Sequence, residues 1–211
     1  ATSTSTSWVP PAKDVDTLIV VNDGDTSSID AAIASSISHD IGVPMLYTDK
    51  GKINEETIKQ LETGVYRDVQ NVVILGGESV VSSDVEKALK NSGITLAGSY
   101  DVVRISGTTG TGTALEAVKY FYGPETVDSV TLVPYKGDDD KSSTDILQLS
   151  AQLGKPVIPI PADGKGLPAD VIESLHTLVV DSVDIIGNFK DSSVTNAVKK
   201  DLAELKIKEG T

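Results

Sequence analysis

A chain of 211 residues with 39% hydrophobic content has apolar material for one large domain or two small ones, and no apolar run approaches the roughly 20 residues of a membrane span. A formal net charge of -13 opposes binding to nucleic acid or an anionic membrane, since both need Lys and Arg against phosphate. With no cysteine, disulfides, thiolate catalysis and cysteine-ligated metal are excluded.

In chain order, residues 1–14 come first. Six of the first seven are Ser or Thr, followed by Trp8 and a Pro-Pro pair. This composition builds no core and reads as an arm or tether. A lone indole in such an arm is expected to dock on a neighbouring subunit or domain, which makes Trp8 an assembly residue. The chain starts at Ala1 without a charged-then-apolar leader, so any signal peptide is already removed or never existed, and Ser/Thr/Pro stretches of this kind are common in surface-exposed extracellular proteins.

From residue 16 the pattern alternates. Residues 16–21 (DTLIVV) read as a buried strand, and 27–42 as a helix with Ile29, Ile33 and Ile37 on one face and a closing glycine. A strand at 43–48, a helix at 54–64, a strand at 69–77 and a helix at 82–93 follow. Short apolar strands alternating with helices predict parallel sheets covered on both faces, a Rossmann- or Toprim-like α/β fold.

The pattern then recurs. VDSVTLV (127–133) matches VDTLIVV (15–21), LGKPVIPI (153–160) matches IGVPMLY (41–47), and residues 183–202 match 72–91. The offset is 112 residues at Pro44/Pro156 and 111 at Gly76/Gly187. Such constancy predicts two tandem units, 15–106 and 107–211, each with its own sheet.

Gly76-Gly77 follows an apolar strand and precedes a helix, as a phosphate cradle would. In the second unit Asn188 replaces Gly77, with Phe189 and Lys190 after it, so what persists is a turn and not a phosphate pocket. Glycines 107, 110 and 112 also precede a helix, but no Walker lysine follows them. Neither turn is expected to bind nucleotide. Asp23 and Asp25 lie after the first strand of one unit, and Asp138, Asp139 and Asp140 after the first strand of the other. Oxygen-rich loops at strand ends suit Ca²⁺, although the full spacing of a calcium loop is absent. No other cofactor is indicated. His39 and His176 lack metal-ligand spacing, and no Gly-x-Ser-x-Gly elbow is present, so no catalytic residue is assigned.

The stretches DAAIASSISHDIGVPMLYTDKGKINEETIKQL, VVILGGESVVSSDVEKAL and VVRISGTTGTGTALEAV together resemble the cell wall-binding repeat type 2 family of bacterial and archaeal surface proteins. Its helix, Pro-apolar strand, Leu-Gly-Gly turn and Arg-Ile-Ser-Gly motif occur in order over residues 30–116. The resemblance implies ligand-binding roles for Pro44, Met45, Leu46, Tyr47, Gly76, Gly77 and Arg104, and a cell-surface or cell-wall location. Where the family continues with Asp-Arg-Tyr, this chain has TTGTG, and it holds two repeats where family members typically hold three. The family's anionic wall polymers suit an acidic chain poorly. The reading is therefore a non-enzymatic structural protein of a surface layer or appendage, S-layer-like, whose partners are copies of itself or other surface-layer domains. The alternatives are an anchoring module for wall polymer or glycan, and a two-lobed small-ligand receptor with its site between the units.

Overall fold

A computed structural model describes residues 16–22, 28–62, 66, 69–92, 101–124, 126–136, 141–186 and 192–210. The first unit contains β1 (Thr17–Asn22), α1 (Ser28–Ile41), β2 (Met45–Thr48), α2 (Glu55–Glu62), β3 (Asn71–Leu75), α3 (Ser83–Asn91) and β4 (Asp101–Ile105). Helix α4 (Gly110–Phe121) follows. The second unit runs β5 (Ser129–Tyr135), α5 (Lys141–Ser150), a 3-10 turn at Ala151–Leu153, β6 (Val157–Pro161), α6 (Ala169–Thr177), β7 (Ser182–Ile185), α7 (Ser192–Leu205) and β8 (Lys208–Glu209).

The strands form two four-stranded parallel sheets, ordered β2-β1-β3-β4 and β6-β5-β7-β8. The same order in both halves is the repeat expressed in space. Alternation of side chains sends Ile19, Val21, Val73 and Leu75 to the face covered by α1 and α4. Leu18, Val20, Val72 and Ile74 face Leu61 of α2 and Val85 and Leu89 of α3. Both faces are thus apolar, as the continuous strand sequences require. Each fully buried Leu or Ile contributes about 1.5–3 kcal/mol.

One core continues across both halves, joining Ile33 and Ile37 of α1 and Leu115 and Val118 of α4 to Leu147, Ile158 and Ile160 of the second half. Polar contacts fix the seam. Strand β6 is an edge strand, and Thr131 donates its amide to the Pro156 carbonyl. Residues 157, 159 and 161 therefore turn their main chain outward. The Val157 amide donates to Ser36 Oγ on α1 at 3.1 Å, and Thr111 Oγ1 on α4 donates to the Pro159 carbonyl at 2.7 Å. Pro159 and Pro161 have no amide to leave open at that edge. The fully buried Ser36 hydroxyl donates in turn to the Ile33 carbonyl at 2.8 Å. Tyr122 closes the same seam, donating to Asp40 Oδ2 at 2.6 Å. Burial, and then the Asp40 carboxylate, hold its hydroxyl far above the usual tyrosine range.

The copies diverge on one sheet face. The register pairs Ile19 with Val73 in the first sheet and Thr131 with Asp184 in the second. Lys155 ion-pairs with Asp184, where the first copy has Val43. An apolar face in one copy is hence polar in the other.

Val179 follows α6 with φ 57, a left-handed conformation that β-branched residues disfavour by about 1–2 kcal/mol. Its side chain is half exposed, so truncation forfeits little burial. Val179→Gly is expected to stabilise the protein by about 1 kcal/mol, net of glycine's added unfolded-state entropy, raising Tm by roughly 2–4 °C in a thermal melt. An unchanged or lower Tm counts against strain at this turn.

Candidate functional site

In open parallel sheets, ligands bind at the carboxyl ends of the strands, where strand order reverses. Here that crevice lies between β1 and β3, and the chain fills it from within. Asn22, buried at the end of β1, donates its Nδ2 to the Val80 carbonyl at 3.0 Å. Gly76, at the end of β3, has φ 122, and a Cβ there would stand 2.8 Å from Asp30 Oδ2 and 2.9 Å from Val80 Cγ2. The glycine is required by conformation and by the side chains packed on it, with no room at that spot for phosphate. Gly77 is a different matter, since a Cβ on it meets nothing nearer than Ser79 Oγ at 3.8 Å.

Arg104 binds this turn together. From β4 its Nε donates to Glu86 Oε2 at 2.9 Å, its Nη1 to the Gly76 carbonyl at 2.9 Å and its Nη2 to the Ser82 carbonyl at 3.4 Å. The planar guanidinium spans all three acceptors, which an ammonium does not. Glu86 also receives Lys90 Nζ at 2.7 Å. The Lys90 hydrogen bond, with Arg104 beside it, holds the Glu86 carboxyl below its ordinary value against the opposing effect of burial. Ser82 caps α3 by accepting the Val85 amide at 3.4 Å.

The second glycine stretch also folds on itself. Thr109 caps α4, its Oγ1 accepting the Gly112 amide at 3.1 Å, and the Gly107 amide donates to Thr113 Oγ1 at 3.0 Å. A Cβ on Gly107 would overlap the Gly112 carbonyl carbon and the Thr113 amide nitrogen, and one on Gly110 would overlap Ile29 Cδ1. These glycines serve close backbone and helix approach, and the Gly112 and Thr113 amides of the first turn of α4 are both taken up by Thr109.

The ligand residues implied by the family resemblance thus fall into two groups. Gly76, Gly77 and Arg104 come together at the β3–α3 turn. Pro44 precedes β2 and Met45, Leu46 and Tyr47 lie on it, at the opposite edge of the sheet, two strand spacings or about 10 Å from β3 and three or about 14 Å from β4. Pro44 is buried, Met45 and Leu46 are half-buried, and Tyr47 is exposed with its carbonyl accepting Thr57 Oγ1 at 3.2 Å. Sequence reading did not single out Asn22, Asp30 or Glu86. The i,i+4 spacing of Glu86 and Lys90 was visible, but the partnership with Arg104 spans 18 positions. Trp8, Asp23, Asp25, Asp138, Asp139 and Asp140 lie outside the described residues, as do Asn188, Phe189 and Lys190. Among the described residues, no group of His, Cys, Asp and Glu is arranged to hold a metal ion, and no helix is long and apolar enough to cross a membrane.

Fold and turn together define a tandem α/β repeat unit joined through a shared core, with Asn22, Asp30 and Val80 packed at the Gly76 turn among the described residues. Residues 3–86 match the family model of cell wall binding domain 2 (CWB2), the family that the motifs of the first unit resemble. The chain is 31% identical over 124 residues to N-acetylmuramoyl-L-alanine amidase LytC of Bacillus subtilis, covering 53% of this chain and 23% of the amidase. It is 32% identical over 105 residues to an uncharacterized protein of Pyrococcus abyssi, covering 50% of this chain and 29% of that one. The match thus spans less than a third of each of these curated relatives. Among solved structures, Cwp8 and Cwp6 from Clostridium difficile share the fold over 93% of this chain, each with TM-score 0.68, at 22% and 20% identity. This chain covers 31% of Cwp8 and 28% of Cwp6.

Proposed function

We propose that this chain is a non-catalytic, wall-binding module of a cell-surface protein, built from repeats at 15–106 and 107–211 with an arm at 1–14. The observation that carries the reading is the CWB2 match over residues 3–86, seated on a fold shared with Cwp proteins. The match to LytC fits the same role, since it involves less than a quarter of that amidase. Location at the cell surface or wall follows from the same reading. A packed core between the sheets leaves the receptor alternative without its inter-lobe cleft among the described residues.

The wall-anchoring reading now leads. Assembly into a layer through copies of the chain, with Trp8 as a contact, is its companion. Purified bacterial walls mixed with the full chain are expected to sediment the protein, with micromolar half-saturation. Failure to sediment with walls, alongside a concentration-dependent rise in mass by light scattering, favours layer assembly over anchoring.

A further inference from the structure

The two halves of the seam each have an equivalent elsewhere on the pair. The offset of 112 residues between Pro44 and Pro156 carries α1 onto α5 with its 3-10 turn, and β2 onto β6. On α1, Ser36 and Ile37 are fully buried, with Ser36 taking up the Val157 amide at the outer edge of β6. Their equivalents on α5 are Gln148 and Leu149, and both are exposed, Leu149 by 66%.

The other half recurs on β2. Ile19 donates its amide to the Pro44 carbonyl and pairs with Met45, so residues 45 and 47 turn their main chain outward. The Tyr47 carbonyl is met by Thr57 Oγ1, whereas the Met45 amide, equivalent to that of Val157, has no acceptor among the described residues. Where β6 places Pro159 and Pro161 on its outer edge, the equivalent positions here are Tyr47 and Asp49, which keep their amides. Tyr47 is 48% exposed, and Ile41 at the end of α1 is exposed as well. One end of the pair thus offers an edge with a donor and apolar side chains, the other a helix flank with an acceptor and a leucine.

We infer that the β2 edge of one chain receives the α5 flank of a second copy, as β6 receives α1 within the chain. Gln148, at the Ser36 position, accepts the Met45 amide through its side-chain carbonyl, and Leu149, at the Ile37 position, packs beside Tyr47. Asp145 stands where α1 has Ile33, so this contact is more polar and weaker than the seam. A net charge of -13 makes copies repel, and salt favours the contact by screening that repulsion. Each copy meets its two neighbours through different surfaces, so the contact does not close on two copies but continues as a row. The inference rests on the assembly reading and gives it its surfaces; wall anchoring is independent of it.

Sedimentation velocity is run on the full chain, on Leu149→Lys and on Tyr47→Pro, at up to about 100 μM and at low and high salt. Tyr47→Pro gives the edge the residue that β6 has, at an amide that makes no ladder bond. Leu149→Lys lowers the net negative charge, so added repulsion is not the cause of any loss. Wild type is expected to gain mass with concentration beyond the dimer, more so at high salt. Each variant is expected to weaken association about tenfold or more, with unchanged Tm. An equal mixture of the two variants is expected to form heterodimers and stop there, because one chain keeps its edge and the other its flank. A mixture that does not associate, or a wild type that stops at a dimer, overturns the head-to-tail contact. Association that neither variant alters overturns these surfaces but leaves the assembly reading standing. A monomeric wild type overturns the second copy: if Tyr47→Pro then abolishes sedimentation with purified walls, the edge belongs to wall polymer, and if it does not, wall anchoring alone stands.

Discussion

Gly107→Ala is expected to cost about 3 kcal/mol or more and to lower Tm by roughly 6–12 °C. The added methyl meets main chain, the Gly112 carbonyl carbon and the Thr113 amide, and main chain has no rotamer into which to retreat. Relief requires moving the first turn of α4, which breaks the Thr109 cap and the bond from the Gly107 amide to Thr113. That turn also carries Thr111, so the covering bond to Pro159 in the second half is lost with it. Gly77→Ala is the control, with nothing within 3.8 Å of the new atom, and is expected to change Tm by no more than a degree or two. Equal effects at the two positions would mean that the glycine turn before α4 adapts, contrary to the packing described.

Arg104→Ala is expected to cost about 3 kcal/mol, because it strands Glu86 and the carbonyls of Gly76 and Ser82 in a part-buried turn. Arg104→Lys restores the charge but not the three-way span, and is expected to recover less than half of the loss. The effect carries a pH signature. Glu86 has its folded-state carboxyl pushed below the ordinary 4.5, so its contribution is fully present above that value and is lost as pH falls through the lowered one. The gap between wild type and Arg104→Ala should be widest at neutral pH and shrink below about pH 4. Chemical denaturation across pH 3–7 checks this. A gap that stays constant with pH would reduce the role of Arg104 to hydrogen bonds with carbonyls.

The fold was legible because its signals were local and repeated. The runs at 16–21 and 69–77, the Ile29/Ile33/Ile37 stripe and a near-constant offset each report one element, and the observed bounds at Thr17–Asn22, Asn71–Leu75 and Ser28–Ile41 fall within or close to those runs. The joining of the halves was not legible. Ser36 reads as one more small polar residue in a serine-rich helix, and its partner Val157 is 121 positions away. Likewise Arg104 could be read as paired or ligand-facing. Only its register on β4 opposite Ile74, beside α3, assigns it to Glu86. The second copy is degenerate in sequence partly because its sheet face carries Thr131, Asp184 and Lys155 where the first copy carries Ile19, Val73 and Val43, so an apolar template fails there.

The seam also limits how this protein can be divided. The outer edge of β6 is sealed by the Ser36 hydroxyl of α1, the Thr111 hydroxyl of the linking helix α4 and prolines of its own, while those two helices bury their apolar flank on that same strand. Cutting the chain between α4 and β5 would leave one fragment with a bare helical flank and the other with an unsealed strand, two surfaces that the intact pair packs on each other. The repeat is a unit of sequence, but the shared core spans the pair: a single copy moved elsewhere would carry half an interface into its new host.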